Sequence, residues 1–162
     1  MTSTSRSNLR PALATAEAGP TSPIQSPIRT SIQSLTGARL QRHADYQRDY
    51  AGSRKRQSAS MSWFMARQTP AYAGAALPTG PRVGLTAGKV LGKAHERNRI
   101  KRRMREVLRR HVELLPHGFD LILHPRRVVM TLEFGKLEAE IVRILQQARA
   151  ESARMSPEAP AL

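Results

Sequence analysis

The chain has 162 residues, and its 27 Lys and Arg against 12 Asp and Glu leave a formal charge of +15. That excess repels itself in a compact fold and calls for a polyanionic partner, nucleic acid ahead of an anionic membrane surface. No cysteine is present, which excludes disulfides, thiolate metal sites and cysteine nucleophiles.

The length suits one modest domain with tails. Residues 1–38 are rich in Ser, Thr, Ala and Pro, and Pro11, Pro20, Pro23 and Pro27 interrupt any helix. A segment without sustained apolar periodicity cannot offset its ordering entropy, so a disordered extension is expected there. The start Met1-Thr2-Ser3-Thr4-Ser5-Arg6 develops no apolar stretch of the secretory kind. No apolar run approaches the roughly 20 residues of a membrane span. A cytoplasmic protein without a membrane partner is the expectation.

Residues 41–51 predict a short helix stopped by Gly52. Residues 61–66 predict a strand of imperfect alternation, and residues 69–81, with two Gly and three Pro, a loop. A second strand follows over residues 82–87, with Val83, Leu85 and Ala87 on one face. Next comes a helix whose Ile100, Met104, Val107, Leu108 and His111 share one face. Residues 119–123 form a third strand closed by Pro125, and Leu137, Ile141, Ile144, Leu145 and Ala148 stripe a last helix. Residues 151–162, with Pro157 and Pro160, read as a second disordered tail. The domain thus spans residues 39–150, an α/β sandwich whose small sheet is covered by helices.

The basic helix carries the strongest signal. Eight of the fourteen residues 97–110 are Lys or Arg, and only Glu106 is acidic. Like charges at i,i+4, such as Arg97 with Lys101 and Lys101 with Arg105, destabilise an isolated helix by a few tenths of a kcal/mol per pair. With Ile100 at the centre of the buried face, Asn98, Arg102 and Arg109 point outward and Arg105 lies beside them. Arg97 and Lys101 line one flank; Arg99, Arg103 and Arg110 line the other. Guanidinium groups pair bidentately with phosphate, so an RNA- or DNA-binding surface is expected. His43, His95, His111, His117 and His124 fall on different elements without ligand spacing, and His111 is expected to be structural. Asp45, Asp49 and Asp120 are scattered in the sequence.

Arg97-Asn98-Arg99-Ile100-Lys101-Arg102, followed by Arg105, resembles the RNR signature of the bacterial ribonuclease P protein family. Val83-Gly84-Leu85-Thr86-Ala87-Gly88-Lys89 is similar to the strand that precedes it there. Arg39-Leu40 with Asp45-Tyr46-Gln47-Arg48-Asp49-Tyr50 and Gly52 resembles the family's first helix. Phe119-Asp120-Leu121-Ile122-Leu123 with Pro125-Arg126-Arg127 resembles its fourth strand. The likeness runs in order over residues 39–147.

The resemblance implies the order α-β-β-β-α-β-α with a left-handed βαβ crossover, the fold of the second domain of ribosomal protein S5. One of the four strands is left unplaced within residues 54–76. It implies a protein subunit that assists a catalytic RNA in removing the 5′ leader of precursor tRNA. The chemistry and the required Mg2+ then belong to the RNA, and the protein contributes no catalytic residue, metal site or cofactor of its own. Carried over, the contacts to the RNA subunit are Arg97, Asn98, Arg99, Lys101, Arg102 and Arg105. The leader cleft includes Tyr46, Tyr50, Arg82 and Lys89. Two departures stand out: the usual Lys pair after the strand is Lys89-Val90, and the next turn reads Gly92-Lys93-Ala94 where the family often has Gly-Asn-Ala. A ribosomal protein or RNA chaperone of related fold is the alternative; a DNA-binding regulator is a more distant one.

Overall fold

The computed structural model describes residues 35–78 and 80–156. Helix α1 (His43–Ala51) precedes a hairpin of β1 (Arg56–Gln57) and β2 (Met61–Arg67). Then come β3 (Arg82–Leu85), α2 (Ala94–Arg110), β4 (Phe119–Pro125) and α3 (Phe134–Met155). The sheet order is β1-β2-β4-β3. β2 runs antiparallel to β1 and β4, whereas β3 lies parallel to β4, the pair being connected through α2. The unplaced strand is β1, two polar residues with no alternation for a sequence reading to find. It is held from outside: Arg56 lies over the Trp63 ring at 4.8 Å, and Glu140 of α3 accepts bonds from the Ser60 amide (2.7 Å) and hydroxyl (2.5 Å).

β4 is buried on both faces. Phe119, Leu121 and Leu123 join Met61, Trp63, Met65 and Val83 against the stripe Ile100, Met104, Val107 and Leu108 of α2 and Leu137, Ile141, Ile144, Leu145 and Ala148 of α3. Each Val, Leu, Ile, Met or Phe side chain among them contributes about 1.5–3 kcal/mol by leaving water. The alternate residues Asp120, Ile122 and His124 share the opposite face with Ser62, Phe64 and Ala66, where α1 docks. The double covering explains the imperfect alternation of β2: both sides of that strand meet protein.

Several boundaries move. β3 ends at Leu85, although Thr86 still donates its amide to the Leu123 carbonyl at 3.0 Å. β4 reaches Pro125, paired with Met61 at a position where a missing N–H is tolerated. His111 is not on the buried stripe. It follows the last turn of α2, half-buried, with Nε2 2.9 Å from Glu138 of α3. Residues 151–155 are not the disordered tail expected there, because α3 continues to Met155: Glu151 pairs with Arg56, Ser152 is buried, and Arg67 donates to the Met155 carbonyl. At the other end, Leu35 and Ala38 belong to the core, so the ordered domain starts ahead of residue 39. The rest of the expected N-terminal extension, residues 1–34, lies outside the described residues, as do residues 157–162.

Helix α1 is unusual in that its buried residues are Asp45 and Asp49. They meet a polar patch of the sheet. Arg82 donates Nε–H to Asp120 Oδ1 at 2.8 Å and a second bond to Oδ2, and faces Asp45 Oδ2 at 3.4 Å. Gln68 donates to Asp120 Oδ1 at 3.0 Å and to the Phe119 carbonyl at 3.1 Å. Arg48 ties Asp45 to the Pro70 carbonyl, the latter at 2.8 Å.

Asp49 has no such cation of its own, and its buried Oδ2 lacks a hydrogen-bond partner. Desolvation, then the neighbouring Asp120 carboxylate, push its carboxyl up from 3.8 to about 7 against the opposing pull of Arg82. The folded state therefore favours neutral Asp49, a stabilisation fully present below pH 3.8 and lost as pH rises through about 7. Asp49→Asn should raise the melting temperature more at pH 8 than at pH 5. The expected difference is about 1 kcal/mol or more, roughly 4 °C for a domain of this size. Equal gains at both pH values would show that Asp49 ionises as readily in the fold as in the unfolded chain.

Candidate nucleic-acid interface

The basic helix is aimed by its N-terminus. Gly92 has φ +123°, a backbone conformation that favours glycine, and a Cβ there would push the Glu96 carboxylate off the Lys93 amide. Glu96 accepts the Lys93 amide at 2.7 Å, the return half of a capping box. That bond, more than the nearby Arg127, holds its carboxyl below the ordinary value. Lys93 occupies the N-cap, where an Asn side chain could accept an amide and a lysine cannot.

Above the apolar underside, Asn98, Arg99 and Arg102 are exposed, and Arg97, Lys101 and Arg105 are half-buried. All six predicted contacts therefore lie on one helix. Among the described residues, Arg99, Lys101, Arg102 and Arg105 have no carboxylate partner. Arg97 likewise pairs with no carboxylate among the described residues, and its buried Nε lacks a hydrogen-bond partner, whereas Arg103, Arg109 and Arg110 are engaged. Arg109 and Arg110 share Glu106, at 2.8 Å and 3.1 Å, and Arg110 also lies 5.0 Å over the Phe134 ring. Arg103, expected on the cationic flank, turns inward instead. It donates to the carbonyls of Val129 (2.6 Å), Met130 (2.8 Å) and Leu132, closing the short 3₁₀ turn Arg127–Met130 beneath it. The partner-free surface is consequently narrower than the charge count implies. It borders an open hollow of about 550 Å³ between His95, Asn98, Arg99 and Arg102.

On the α1 face, the hydroxyl end of the Tyr46 ring abuts Gly84, where a Cβ would sit 2.7 Å from it, and its hydroxyl donates to the Leu40 carbonyl at 3.3 Å. Burial, then Tyr50, raises the Tyr46 phenol above its ordinary value. The Tyr50 hydroxyl bridges Thr86 Oγ1 (3.2 Å) and His124 Nε2 (2.7 Å). Phe64 meets Tyr50 edge-on at 5.1 Å and His124 at 5.2 Å. Burial, then Lys55, lowers the His124 pKa and favours the neutral imidazole.

The result is a continuous half-buried row, Tyr46, Tyr50, Phe64 and His124, along the helix–sheet cleft. Of the predicted cleft residues, Tyr46, Tyr50 and Arg82 share this face. Arg82 has its guanidinium bound to Asp120, and Lys89 stands exposed on the 3₁₀ turn Lys89–Leu91 past the end of β3. Sequence reasoning missed Phe64 and His124. The signal was available in β4, where Asp120, Ile122 and His124 alternate with the core residues.

The sequence profile of the family Ribonuclease P matches residues 36–149. The ribonuclease P protein component of Thermobifida fusca is 32% identical over 119 residues, covering 70% of this chain and 80% of that protein. The protein of the same name from Chloroflexus aggregans is 40% identical over 86 residues, covering 50% of this chain and 64% of its own. The RNase P protein structures from Staphylococcus aureus and Thermotoga maritima superpose with TM-scores of 0.55 and 0.56, each at 22% identity. They cover 69% and 67% of this chain and 95% and 96% of their own, and show the same fold. No helix among the described residues is long and apolar enough to cross a membrane. With the matched profile spanning α1 through most of α3, this chain belongs to the ribonuclease P protein family, the protein subunit of an RNA-containing holoenzyme.

Proposed function

We propose that this subunit binds the catalytic RNA of ribonuclease P through the outer face of α2 and receives the 5′ leader of precursor tRNA in the cleft between α1 and the sheet. The observation that carries this reading is the division among the cations of α2. Arg103, Arg109 and Arg110 are satisfied within the fold, while Arg99, Lys101, Arg102 and Arg105 have no counter-charge among the described residues. A guanidinium row above an apolar underside suits a polyphosphate partner. The aromatic row of the cleft suits unpaired bases of any sequence, each stacked base contributing about 1–3 kcal/mol.

The chemistry is assigned to the RNA, whose Mg2+ ions would supply an activated water and stabilise the charge that develops on the cleaved phosphodiester. The protein's own converging carboxylates do not suit that ion. Asp45 and Asp120 are both bonded to Arg82, so a cation already occupies the centre of the cluster. His111 and His124 are engaged by Glu138 and Tyr50. What the protein does is bind, neutralise and orient. Reconstitution of the chain with its RNA and a precursor tRNA across magnesium concentrations tests this directly: cleavage at low magnesium should depend on the protein, and protein-independent cleavage throughout would reject the assignment.

Substitutions on α2 and in the cleft separate the two surfaces. Arg102→Ala with Arg105→Ala should weaken binding of the RNA subunit and flatten the slope of log affinity against log salt by roughly 0.7–0.9 per lost phosphate contact, with an almost unchanged melting temperature. Arg103→Ala should do the reverse, lowering stability by about 1–3 kcal/mol as three carbonyls lose their donor. In the cleft, Tyr50→Ala should weaken binding of precursor tRNA relative to mature tRNA by about 1–3 kcal/mol. Tyr50→Phe keeps the ring while removing the bonds to Thr86 and His124, and should retain most of that preference. Equal weakening of both ligands by Tyr50→Ala would identify the ring as packing alone.

A further inference from the structure

One cation near α2 comes from a different part of the chain. Arg39 lies in the segment leading to α1, which adds to the open edge of the sheet beside β3: Val83 donates its amide to the Ala38 carbonyl at 2.7 Å, and Leu40 donates to the Val83 carbonyl at 3.0 Å. Ala38 and Leu40 are buried on either side of it, so the extended alternation turns Arg39 out to solvent on a backbone fixed at both ends. It has no carboxylate partner among the described residues.

The surroundings of Arg39 are strongly cationic. With Leu35, Arg102, Arg105 and Arg109 it lines an open hollow of about 300 Å³. The acidic group in that hollow, Glu106, is held by Arg109 and Arg110. A second, small enclosed hollow again has Arg39 and Arg105 on its walls, together with Tyr46 of the cleft. Three arginines from two elements, Arg39, Arg102 and Arg105, thus line one hollow whose acid is paired with Arg109 and Arg110. They occupy the place where the α2 surface meets the foot of α1.

We propose that Arg39 joins Arg102 and Arg105 in a single binding site for one backbone phosphate of the RNA subunit, at the junction of the helical surface and the leader cleft. A planar guanidinium on a fixed backbone loses little freedom when it pairs with a phosphate, and a second element contributes donors that one helix face cannot direct at the same atom. This inference rests on the reading that the outer face of α2 meets the RNA subunit.

The experiment is binding of the RNA subunit to the full-length chain at several salt concentrations, for Arg39→Ala, Arg105→Ala, the two together, and Arg102→Ala with Arg105→Ala as reference. Arg39→Ala is expected to weaken binding about tenfold, as for loss of a hydrogen bond to a charged group, and to flatten the salt slope by roughly 0.7–0.9. In the Arg105→Ala background the same change should cost only about two- to threefold, because a shared phosphate has already been loosened. Wild-type affinity for Arg39→Ala, with the reference pair impaired, would overturn the site and leave the α2 surface standing. A full tenfold loss in both backgrounds would overturn it too, placing Arg39 on a separate phosphate. Normal binding by every variant would reject the underlying reading as well. Arg39→Gln, which keeps an extended polar side chain, repeats the test should alanine lower the melting temperature.

Discussion

The pair between Arg82 and Asp120 fixes the arrangement on which both surfaces depend. These residues face each other across the parallel strands β3 and β4, and their twin hydrogen bonds lie beneath α1. A buried pair of this kind is a weak source of net stability, but losing one partner leaves an uncompensated charge and costs about 3–5 kcal/mol. It also determines how α1 can dock. Asp45 faces the same guanidinium and is tied by Arg48 to the Pro70 carbonyl, while Asp49 is buried beside Asp120, so the helix is located by polar contacts rather than by an apolar stripe. A helix held this way can leave its tyrosines half-open along the sheet, where an apolar helix would have buried them.

The two faces of the sheet therefore have different physical characters. Under α2 and α3 the contact is apolar, and it gives α2 a rigid footing that leaves its opposite side free for charge. Under α1 the contact is polar and aromatic, with Tyr50, Phe64 and His124 linked by edge contacts and one short hydrogen bond. The connection between these faces is short. β3 leads through a single 3₁₀ turn into α2, and the same strand carries Gly84 under Tyr46. The basic helix and the cleft are thus positioned from one strand.

Much of this was legible in the chain. The stripes of α2 and α3, the loop before β3 and the strand cores followed from periodicity and from Gly and Pro placement, because burial on one face leaves a period in the sequence. β1 was not legible: two residues held by Trp63 and by Glu140 of another element carry no period of their own. The ends of the domain were misjudged for a similar reason. Residues 151–155 look like tail, yet Arg56 and Arg67 from the sheet hold the last turns of α3 in place.

The charge pattern by itself pointed to a polyanionic partner and singled out α2 as the element where cations are densest, since each like-charge pair on a helix carries a cost of a few tenths of a kcal/mol that an anion offsets. Its order of motifs also identified the family. Which cations remain free was decided only in three dimensions. Arg103 looks equivalent to Arg102 in sequence, but the carbonyls of a turn 26 to 29 residues away capture it. Arg82 looks available until Asp120 and Asp45 converge on it, and Arg39 looks remote from α2 until the sheet edge brings it to Arg105. A sequence lists charges, and pairing depends on distances across the fold, so the tertiary structure alone separates the arginines that hold the protein together from those left without an internal partner among the described residues.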